Sequence, residues 1–243
     1  MMRLALVGYG KMGRVIESLA AEYEAEVVLR LDEFNNANGA GMTPEAFAGV
    51  DAAIEFTAPD AVLGNLGRLA ELGIPTVCGT TGWYNELPAV AERFQSRGGR
   101  LVYAPNFSIG VNLFERIVSE AAALFAAYAE YGAWAWEMHH DQKKDAPSGT
   151  LKSLVETMRK SGYNLPVDVS SSRAGKVPGT HVIGFDSAAD TIELRHVARN
   201  REGFARGALH AARWLLKHEG VHAFSDVLFG DADVRAGKRG SNA

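Results

Sequence analysis

The chain has 243 residues, of which 47% are hydrophobic and 22% are charged. This composition excludes a disordered or fibrous protein and is typical of one or two globular domains. The formal charge of −4 at pH 7 offers no electrostatic basis for binding nucleic acid or a membrane surface, so neither is an expected partner. A single cysteine, no secretory signal and no long apolar run together predict a cytoplasmic protein without a membrane span.

The N-terminal segment predicts a strand, a glycine-rich turn and a helix. Residues 3–7 form a short apolar run, and residues 14–21 show helical periodicity. The turn between them has the pattern GxGxxG, and its residues are Gly8, Tyr9, Gly10, Lys11, Met12 and Gly13. In this context the first glycine permits the tight turn, the second allows close approach of a pyrophosphate, and the third lets the helix pack against the strand. The segment therefore predicts dinucleotide binding, although a glycine-rich turn of no function is the alternative.

The second strand predicts the cofactor. Residues 26–31 form this strand, which ends at Asp32, where a Rossmann fold places the acid that binds the adenosine ribose hydroxyls. Glu33 follows, and no arginine comes after it to offset repulsion of a 2′-phosphate. We therefore expect NADH as the preferred cofactor, with some NADPH binding retained through Lys11.

Strands and helices continue to alternate through residue 103. The predicted strands are 52–56, 75–78 and 101–103, and the predicted helices are 60–72 and 86–97. This alternation predicts an α/β fold with a Rossmann-type, doubly wound parallel sheet. Ligands bind beyond the carboxyl ends of such strands, so three strand-end loops are expected to contact the cofactor. Their residues are Phe56, Thr57, Gly79, Thr80, Thr81, Ala104, Pro105, Asn106 and Phe107.

The middle of the chain predicts a second domain. A helix at 110–127 precedes strands at 133–139, 167–172, 180–186 and 191–198, with a hairpin turn at 188–190. These predict a central α+β substrate domain with an open mixed sheet over residues 109–203. Residues 1–108 and 204–243 would form the dinucleotide-binding domain, closed by a helix at 204–217 and followed by a frayed tail at 235–243. Open sheets of this kind often pair with a neighbouring subunit.

Ionisable side chains are densest between Glu137 and Thr150. His139, His140, Lys143 and Lys144 lie within six residues, and a His beside lysines can donate a proton near pH 7. The segment from Pro147 to Thr150 predicts a helix N-terminus, where Gly149 exposes backbone N–H groups and Ser148 or Thr150 offers a hydroxyl to a carboxylate. A solvated basic loop is the alternative interpretation.

No metal site is predicted. His139 and His140 are adjacent on a strand, so their rings point to opposite faces, and no carboxylate-rich loop completes a ligand shell. The loop at 173–181 carries three basic groups and is predicted to be a lid or a simple connection.

Four motifs carry a family resemblance. They are the glycine-rich turn from Gly8, the segments 79–82 and 104–112, and the ionisable segment 137–150. Together they closely resemble the dihydrodipicolinate reductase family, and the similarity extends to residues 204–215. The resemblance implies reduction of 4-hydroxy-tetrahydrodipicolinate, through dihydrodipicolinate, to tetrahydrodipicolinate by hydride from NAD(P)H. It also implies a place in lysine and diaminopimelate biosynthesis and a homotetramer.

The resemblance also implies roles for single residues. His139 would be the proton donor or acceptor, and Lys143 would be a second proton donor. His140, Gly149 and Thr150 match positions that bind the small dicarboxylate substrate. The glycine-rich turn, Asp32 and the three strand-end loops match the dinucleotide contacts.

Two other functions stay open from the sequence. An amino-acid dehydrogenase of the aspartate dehydrogenase type shares the Rossmann opening, but it does not explain paired histidines followed by a lysine and Ser-Gly-Thr. A non-catalytic regulator that senses NAD(P) would bind the cofactor without turnover.

Overall fold

The computed structural model describes residues 1–230. Within it the chain forms two compact units, one made of Met1–Ile109 with the chain from Glu202 onward, the other of Gly110–Arg201. The predicted frayed tail at 235–243, and with it the end of the predicted first domain, lies outside the described residues. No helix in residues 1–230 is long and apolar enough to cross a membrane.

The first unit contains a six-stranded sheet in which every pairing is parallel. In the order β10-β5-β4-β3-β1-β2, its strands are β1 (Met2–Val7), β2 (Ala25–Leu31), β3 (Ala52–Glu55), β4 (Thr76–Cys78), β5 (Arg100–Tyr103) and β10 (Gly220–Ala223). Its helices are α1 (Lys11–Ala20), α2 (Val62–Glu71), α3 (Leu87–Gln95) and α6 (Glu202–Leu215). The predicted parallel, doubly wound sheet is confirmed.

Helices cover both faces of this sheet because successive strand residues point to opposite sides. Leu4 and Leu6 of β1 pack into a core shared with α1 and α6, whereas Ala5 and Val7 pack into a core shared with α2 and α3. The last strong helix, α6, thus covers one face of the first sheet. Gly207 of this helix allows the close approach, since a Cβ there would collide with the Phe107 carbonyl oxygen.

The sequence prediction missed one strand of this sheet. β10 pairs with β5 in parallel, but it spans only four residues, all half-buried, so neither alternation nor an apolar run marks it. The other element boundaries differ from the predictions by at most three residues. The largest difference is at α1, which begins at Lys11 rather than at residue 14.

The second unit contains a four-stranded mixed sheet in the order β7-β6-β8-β9. Its elements are α4 (Ile109–Phe125), β6 (Gly132–His139), α5 (Gly149–Lys160), β7 (Val167–Arg173), β8 (Thr180–Asp186) and β9 (Thr191–Val197). β6 pairs with β7 in parallel and with β8 antiparallel, and β8 and β9 form the predicted hairpin. The open mixed sheet is confirmed.

One face of this second sheet is covered and the other is open. Ala133, Ala135, Ile183 and Phe185 pack against α4 and α5 in a single core. The alternate residues of β6, which are Trp134, Trp136 and Met138, point to the opposite face and are only partly buried. The face of this sheet that the helices leave uncovered therefore carries large apolar side chains.

Candidate active site

The glycine-rich turn has the geometry that phosphate binding requires. Gly8 has φ of +100°, and a Cβ there would collide with the Phe56 carbonyl oxygen. A Cβ at Gly13 would lie 2.7 Å from the Gly8 carbonyl oxygen, so the helix start packs tightly on the turn. At Gly10, by contrast, no atom lies within 4 Å of the Cβ position. The first backbone N–H groups of α1 are therefore open to an anion.

An open cleft of about 1270 Å³ lies at the carboxyl ends of β1, β2 and β3. Six of the predicted cofactor residues line it: Gly8, Tyr9, Gly10, Asp32, Phe56 and Thr57. Three arginines also line it, and the sequence analysis did not identify them: Arg14, Arg68 and Arg93. They belong to α1, α2 and α3, so no local motif connects them, and only the packing of these helices around one cleft brings them together.

Asp32 faces the cleft and also forms hydrogen bonds with the backbone of the loop that follows β2. Its Oδ1 accepts hydrogen bonds from the backbone N–H groups of Phe34, at 2.9 Å, and Asn35, at 3.2 Å. Asn35 Oδ1 in turn accepts the Asp32 N–H at 2.8 Å. This reciprocal turn fixes the carboxylate at the mouth of the cleft, in the position predicted for a ribose contact.

The remaining predicted cofactor residues do not line the cleft. Lys11 is exposed on the first turn of α1, whereas Met12 packs against the core. Thr80 is buried, and its Oγ1 accepts the Thr57 N–H at 2.7 Å. Gly79 packs under the Phe56 ring, where a Cβ would collide. These residues thus tie the β3 and β4 ends together, while Thr81 is exposed.

The loop after β5 likewise has some predicted cofactor residues that are buried and others that are exposed. Ala104 and Phe107 are buried, and the Phe107 ring lies edge-on to Phe56 with a centroid distance of 6.1 Å. Pro105 is exposed, and Asn106 Oδ1 accepts the Ser108 N–H at 2.8 Å. Part of this predicted contact loop therefore supports the cleft from behind.

In the second unit, strand register gathers a cluster of ionisable side chains. Glu137 and His139 are two apart on β6 and share its covered face, and His181 of β8 stands directly opposite Glu137. Glu137 is fully buried, and His139 and His181 are 7% and 4% exposed. Glu137 Oε2 lies 3.5 Å from His139 Nδ1 and 3.6 Å from His181 Nε2. We refer to these three residues as the His–Glu–His cluster.

The sequence analysis identified His139 but assigned no role to Glu137 or His181. The spacing of two on a strand was a signal for Glu137. His181 lies 42 residues after His139 in the chain, so only the pairing of β6 with β8 brings it next to Glu137.

Arg173 fastens the loop that carries Lys143 to this cluster. Its Nη2 lies 3.0 Å from Glu137 Oε1 and also donates to the Asp145 carbonyl oxygen, and its Nε donates to the Lys143 carbonyl oxygen at 3.3 Å. Lys143 Nζ forms an ion pair with Asp145 Oδ1 at 2.8 Å. The loop that carries Lys143 is therefore ordered, and Arg173, at the end of β7, holds it in place.

The predicted helix N-terminus is present, with Ser148 as the N-cap of α5. Ser148 Oγ accepts the Leu151 N–H at 3.2 Å, and the Ser148 N–H donates to Glu137 Oε1 at 2.9 Å. Ser148 is 2% exposed, so its hydroxyl caps the helix rather than facing a substrate. Gly149 is exposed with open space at its Cβ position, and Thr150 is partly exposed. These two residues and the partly exposed His140 are therefore the predicted substrate residues that a ligand could reach.

Burial and hydrogen bonding shift the pKa values in this cluster. Burial favours neutral His139 and lowers its pKa, although the nearby Glu137 carboxylate opposes this. The pKa of His181 falls to about 4, chiefly through burial. Burial alone would raise the pKa of Glu137, but hydrogen bonds from Ser148, Arg173 and Ser171 outweigh it and hold that pKa below its ordinary value. The cluster at neutral pH is therefore one carboxylate facing neutral imidazoles.

One donor atom from each member of the His–Glu–His cluster lies within 4.8 Å of the others, as a metal site would require. The argument from His139 and His140 missed this grouping because the second imidazole comes from β8. However, the guanidinium of Arg173 already lies against the same carboxylate, and Lys143 contributes a further positive charge to the surroundings of His139. We therefore interpret the cluster as a hydrogen-bonding group.

Comparison with known proteins agrees with this geometry. A family model described as the N-terminus of dihydrodipicolinate reductase matches residues 2–107, and one described as its C-terminus matches residues 110–228. The 4-hydroxy-tetrahydrodipicolinate reductase of Christiangramia forsetii is 33% identical over 238 residues, which cover 93% of this chain and 98% of that protein. A protein of the same name from Methanosarcina acetivorans is 35% identical over 73% of both chains.

A solved structure shares the fold. It is a dihydrodipicolinate reductase from Paenisporosarcina with dipicolinate bound, 22% identical, with a TM-score of 0.77 over 93% of this chain and 99% of that one. The family models span both units, and the first relative covers nearly its whole length. The resemblance drawn from the four motifs is confirmed: this chain belongs to the dihydrodipicolinate reductase family.

Proposed function

We propose that this chain is a cytoplasmic, homotetrameric reductase that converts 4-hydroxy-tetrahydrodipicolinate, through dihydrodipicolinate, to tetrahydrodipicolinate in lysine and diaminopimelate biosynthesis. Membership of the reductase family supports the activity, and the names of the relatives do not favour an amino-acid dehydrogenase or a regulator. The observation that carries the proposal is a buried His139 next to an ordered loop with Lys143 and an open helix N-terminus. The second unit would thus supply both the proton source and the anion site.

The open cleft in the first unit would hold NAD(P)H. Bound there, the nicotinamide supplies hydride. The backbone N–H groups at the start of α1 would bind the pyrophosphate, and Asp32 would bind the ribose hydroxyls. The second unit would hold the substrate, with one carboxylate on the N–H groups at Gly149 and Thr150 and with Lys143 and His140 beside it.

His139 and Lys143 would complete the reduction by supplying a proton. When hydride adds to the conjugated ring of dihydrodipicolinate, an electron pair is displaced onto the ring and needs a proton to form the new C–H bond. His139 donates that proton, and Lys143 is the second donor. One hydride and one proton are thus added, and the chain contributes mainly position and charge.

A coupled assay tests the function. The substrate is generated from pyruvate and aspartate semialdehyde, and oxidation of NADH and NADPH is followed separately. We expect oxidation that depends on both precursors. Oxidation of NADH with ammonia and oxaloacetate alone would instead identify an amino-acid dehydrogenase, and cofactor binding without turnover in either assay would identify a regulator.

Cofactor preference depends on the charge of Asp32. We expect a higher kcat/KM with NADH, because a carboxylate at the mouth of the cleft repels a 2′-phosphate. Asp32→Asn keeps the Oδ1 atom that caps the loop but removes the charge, so kcat/KM with NADPH should rise about tenfold, or about 1.4 kcal/mol. Glu92→Gln, a change of equal charge on exposed α3, is the control. A wild-type kcat/KM at least tenfold higher with NADPH would refute the preference.

The open face of the second sheet is the proposed subunit contact. Trp134, Trp136 and Met138 are only partly buried there, and large apolar side chains on an uncovered sheet face mark an interaction site. Light scattering should give four times the chain mass of 26.1 kDa, and Trp136→Glu should lower the measured mass. Leu165→Glu, at an exposed apolar residue outside the sheet, should leave it unchanged. A wild-type monomer would contradict the proposal.

A further inference from the structure

We propose that Glu137 and His181 are positioning residues that set the tautomer of His139, with the Nδ1 proton directed at Glu137 and Nε2 left as the atom that exchanges a proton with the substrate. This inference rests on the proposed role of His139 as proton donor, and it identifies the donor atom. Neither Glu137 nor His181 need touch the substrate for this role.

The two oxygens of Glu137 have different surroundings. Oε1 accepts three hydrogen bonds: from the Ser148 N–H at 2.9 Å, from Ser171 Oγ at 2.9 Å and from Arg173 Nη2 at 3.0 Å. These bonds hold the carboxylate in one orientation. Oε2 is buried and has no hydrogen-bond partner among residues 1–230, and the atoms that approach it are the two imidazole nitrogens.

An ionised oxygen buried in this way requires N–H donors. Glu137 stays ionised at neutral pH because the donors on Oε1 lower its pKa. The imidazole nitrogens lie 3.5 and 3.6 Å away, a few tenths of an ångström beyond a normal N–H···O bond, and small ring rotations would close both gaps. Such contacts commonly tighten when substrate binds. The arrangement therefore favours Nδ1–H on His139 and Nε2–H on His181.

The two histidines then have different tasks. His181 has a pKa of about 4, because it is buried and faces the positive surroundings of Lys143 and the other histidines, His139 and His196. It stays neutral at neutral pH, and its Nε2, which also lies 3.4 Å from Ser148 Oγ, donates a proton towards Oε2. The cation needed for proton donation therefore forms on His139, where the charge of Glu137 stabilises it against Lys143 and Arg173, which disfavour it. Asp145 acts in the same direction as Glu137.

The opposite edge of the His139 ring lies against a glycine. A Cβ at Gly179 would lie 3.1 Å from His139 Nε2 and 3.3 Å from its Cδ2. Gly179 has no side chain to crowd this edge, so Nε2 keeps a space that any other residue would narrow. The two ring nitrogens of His139 therefore have different surroundings: Nδ1 faces Glu137 and Nε2 faces Gly179. In other catalytic groups, too, a carboxylate next to one ring nitrogen of a histidine fixes the tautomer.

The variant Glu137→Gln tests the tautomer directly. Glutamine keeps an oxygen at the Oε1 position for Ser148, Ser171 and Arg173, but it places an amide N–H₂ where Oε2 faced the imidazoles. An amide donor there requires a lone pair on His139 Nδ1, so the proton should move to Nε2. We expect ¹⁵N NMR of the wild-type enzyme to show Nδ1–H on neutral His139 and that of the variant to show Nε2–H.

Kinetics provide the second readout. Glu137→Gln should lower kcat by about 10²-fold while KM and the Kd for NADH change less than threefold, because the cofactor and carboxylate contacts remain. The pH limit of kcat that reports His139 should move to lower pH, since a negative charge that favours the cation is lost. Glu130→Gln, at an exposed residue in the turn before β6, is the matched control and should change none of these values.

The variant His181→Leu separates positioning from a general loss of structure. Without the second donor, the charge on Oε2 acts on His139 alone, so the pH limit should move to higher pH, opposite to the shift in Glu137→Gln. Shifts of opposite sign support the inference. If Glu137→Gln folds poorly, a move to higher pH in His181→Leu supports it, and a move to lower pH or no move contradicts it. An Nε2–H tautomer in the wild-type enzyme, or shifts in the same direction, would overturn it.

The tautomer measurement does not depend on turnover, so the two proposals fail separately. If the NMR result holds but His139→Gln retains full turnover, the assignment of His139 as proton donor is wrong and the positioning contact stands. If His139→Gln loses turnover but Glu137→Gln changes neither tautomer nor pH limit, the positioning inference is wrong and the proposed function stands.

Discussion

Replacing His139 by Gln is expected to lower kcat by about 10²- to 10⁴-fold, the range that a positioned general acid contributes. Glutamine has a similar length and a polar end, but it has no group that releases a proton near neutral pH. The dinucleotide cleft lies in the other unit, lined by residues such as Gly10 and Asp32, so the Kd for NADH should stay within about twofold. A fall in kcat with unchanged cofactor binding is therefore the expected signature.

The measurement combines the coupled assay with a fluorescence titration of NADH. His218→Gln is the control, because His218 is an exposed residue of the first unit whose ring stacks on Trp214. It should retain turnover near the wild-type value. Turnover by His139→Gln at the wild-type rate would show that the proton comes from another group.

The largest expected effect on stability comes from His181. Its pKa is about 4 in the folded protein and 6.5 in an exposed histidine, so below pH 6.5 the unfolded chain binds a proton that the folded chain does not. The free energy of unfolding should therefore fall as the pH decreases from 6.5 to 4, by about 3 kcal/mol from this residue alone. The loss is complete below about pH 4, where both states are protonated.

Glu137 contributes in a lower pH range. Its pKa lies below the ordinary value of 4.5, so the stability it adds is present above pH 4.5 and is lost as the pH falls through its lowered pKa. The two effects can be separated by measuring urea unfolding at half-unit steps from pH 7 to 4.5. Over this measured range His181→Leu should lose about 2.5 kcal/mol of the pH dependence, whereas His218→Leu should keep it. An unchanged slope in His181→Leu would show that His181 is not held neutral.

Much of the fold and half of the site followed from local sequence patterns. The alternation of apolar strands with amphipathic helices predicted the parallel sheet, because β strands buried on both faces and helices with one apolar stripe have distinct periods. The roles of Gly8 and Gly13 were predictable because a turn that brings a strand end against a helix start tolerates no Cβ. Ser148 followed from the chemistry of an N-cap, although its hydroxyl turned out to cap the helix rather than face a ligand.

The sequence by itself determined the candidate residues within single segments: the glycine-rich turn, His139, Lys143 and the start of α5. Only the tertiary structure decided what surrounds them. The pairing of β6 with β8 places His181 opposite Glu137, and the packing of three helices brings arginines to one cleft. Local periodicity reports which face of an element is buried, but the register between strands distant in the chain depends on the packing of the whole sheet, so these contacts leave no signature in either segment alone.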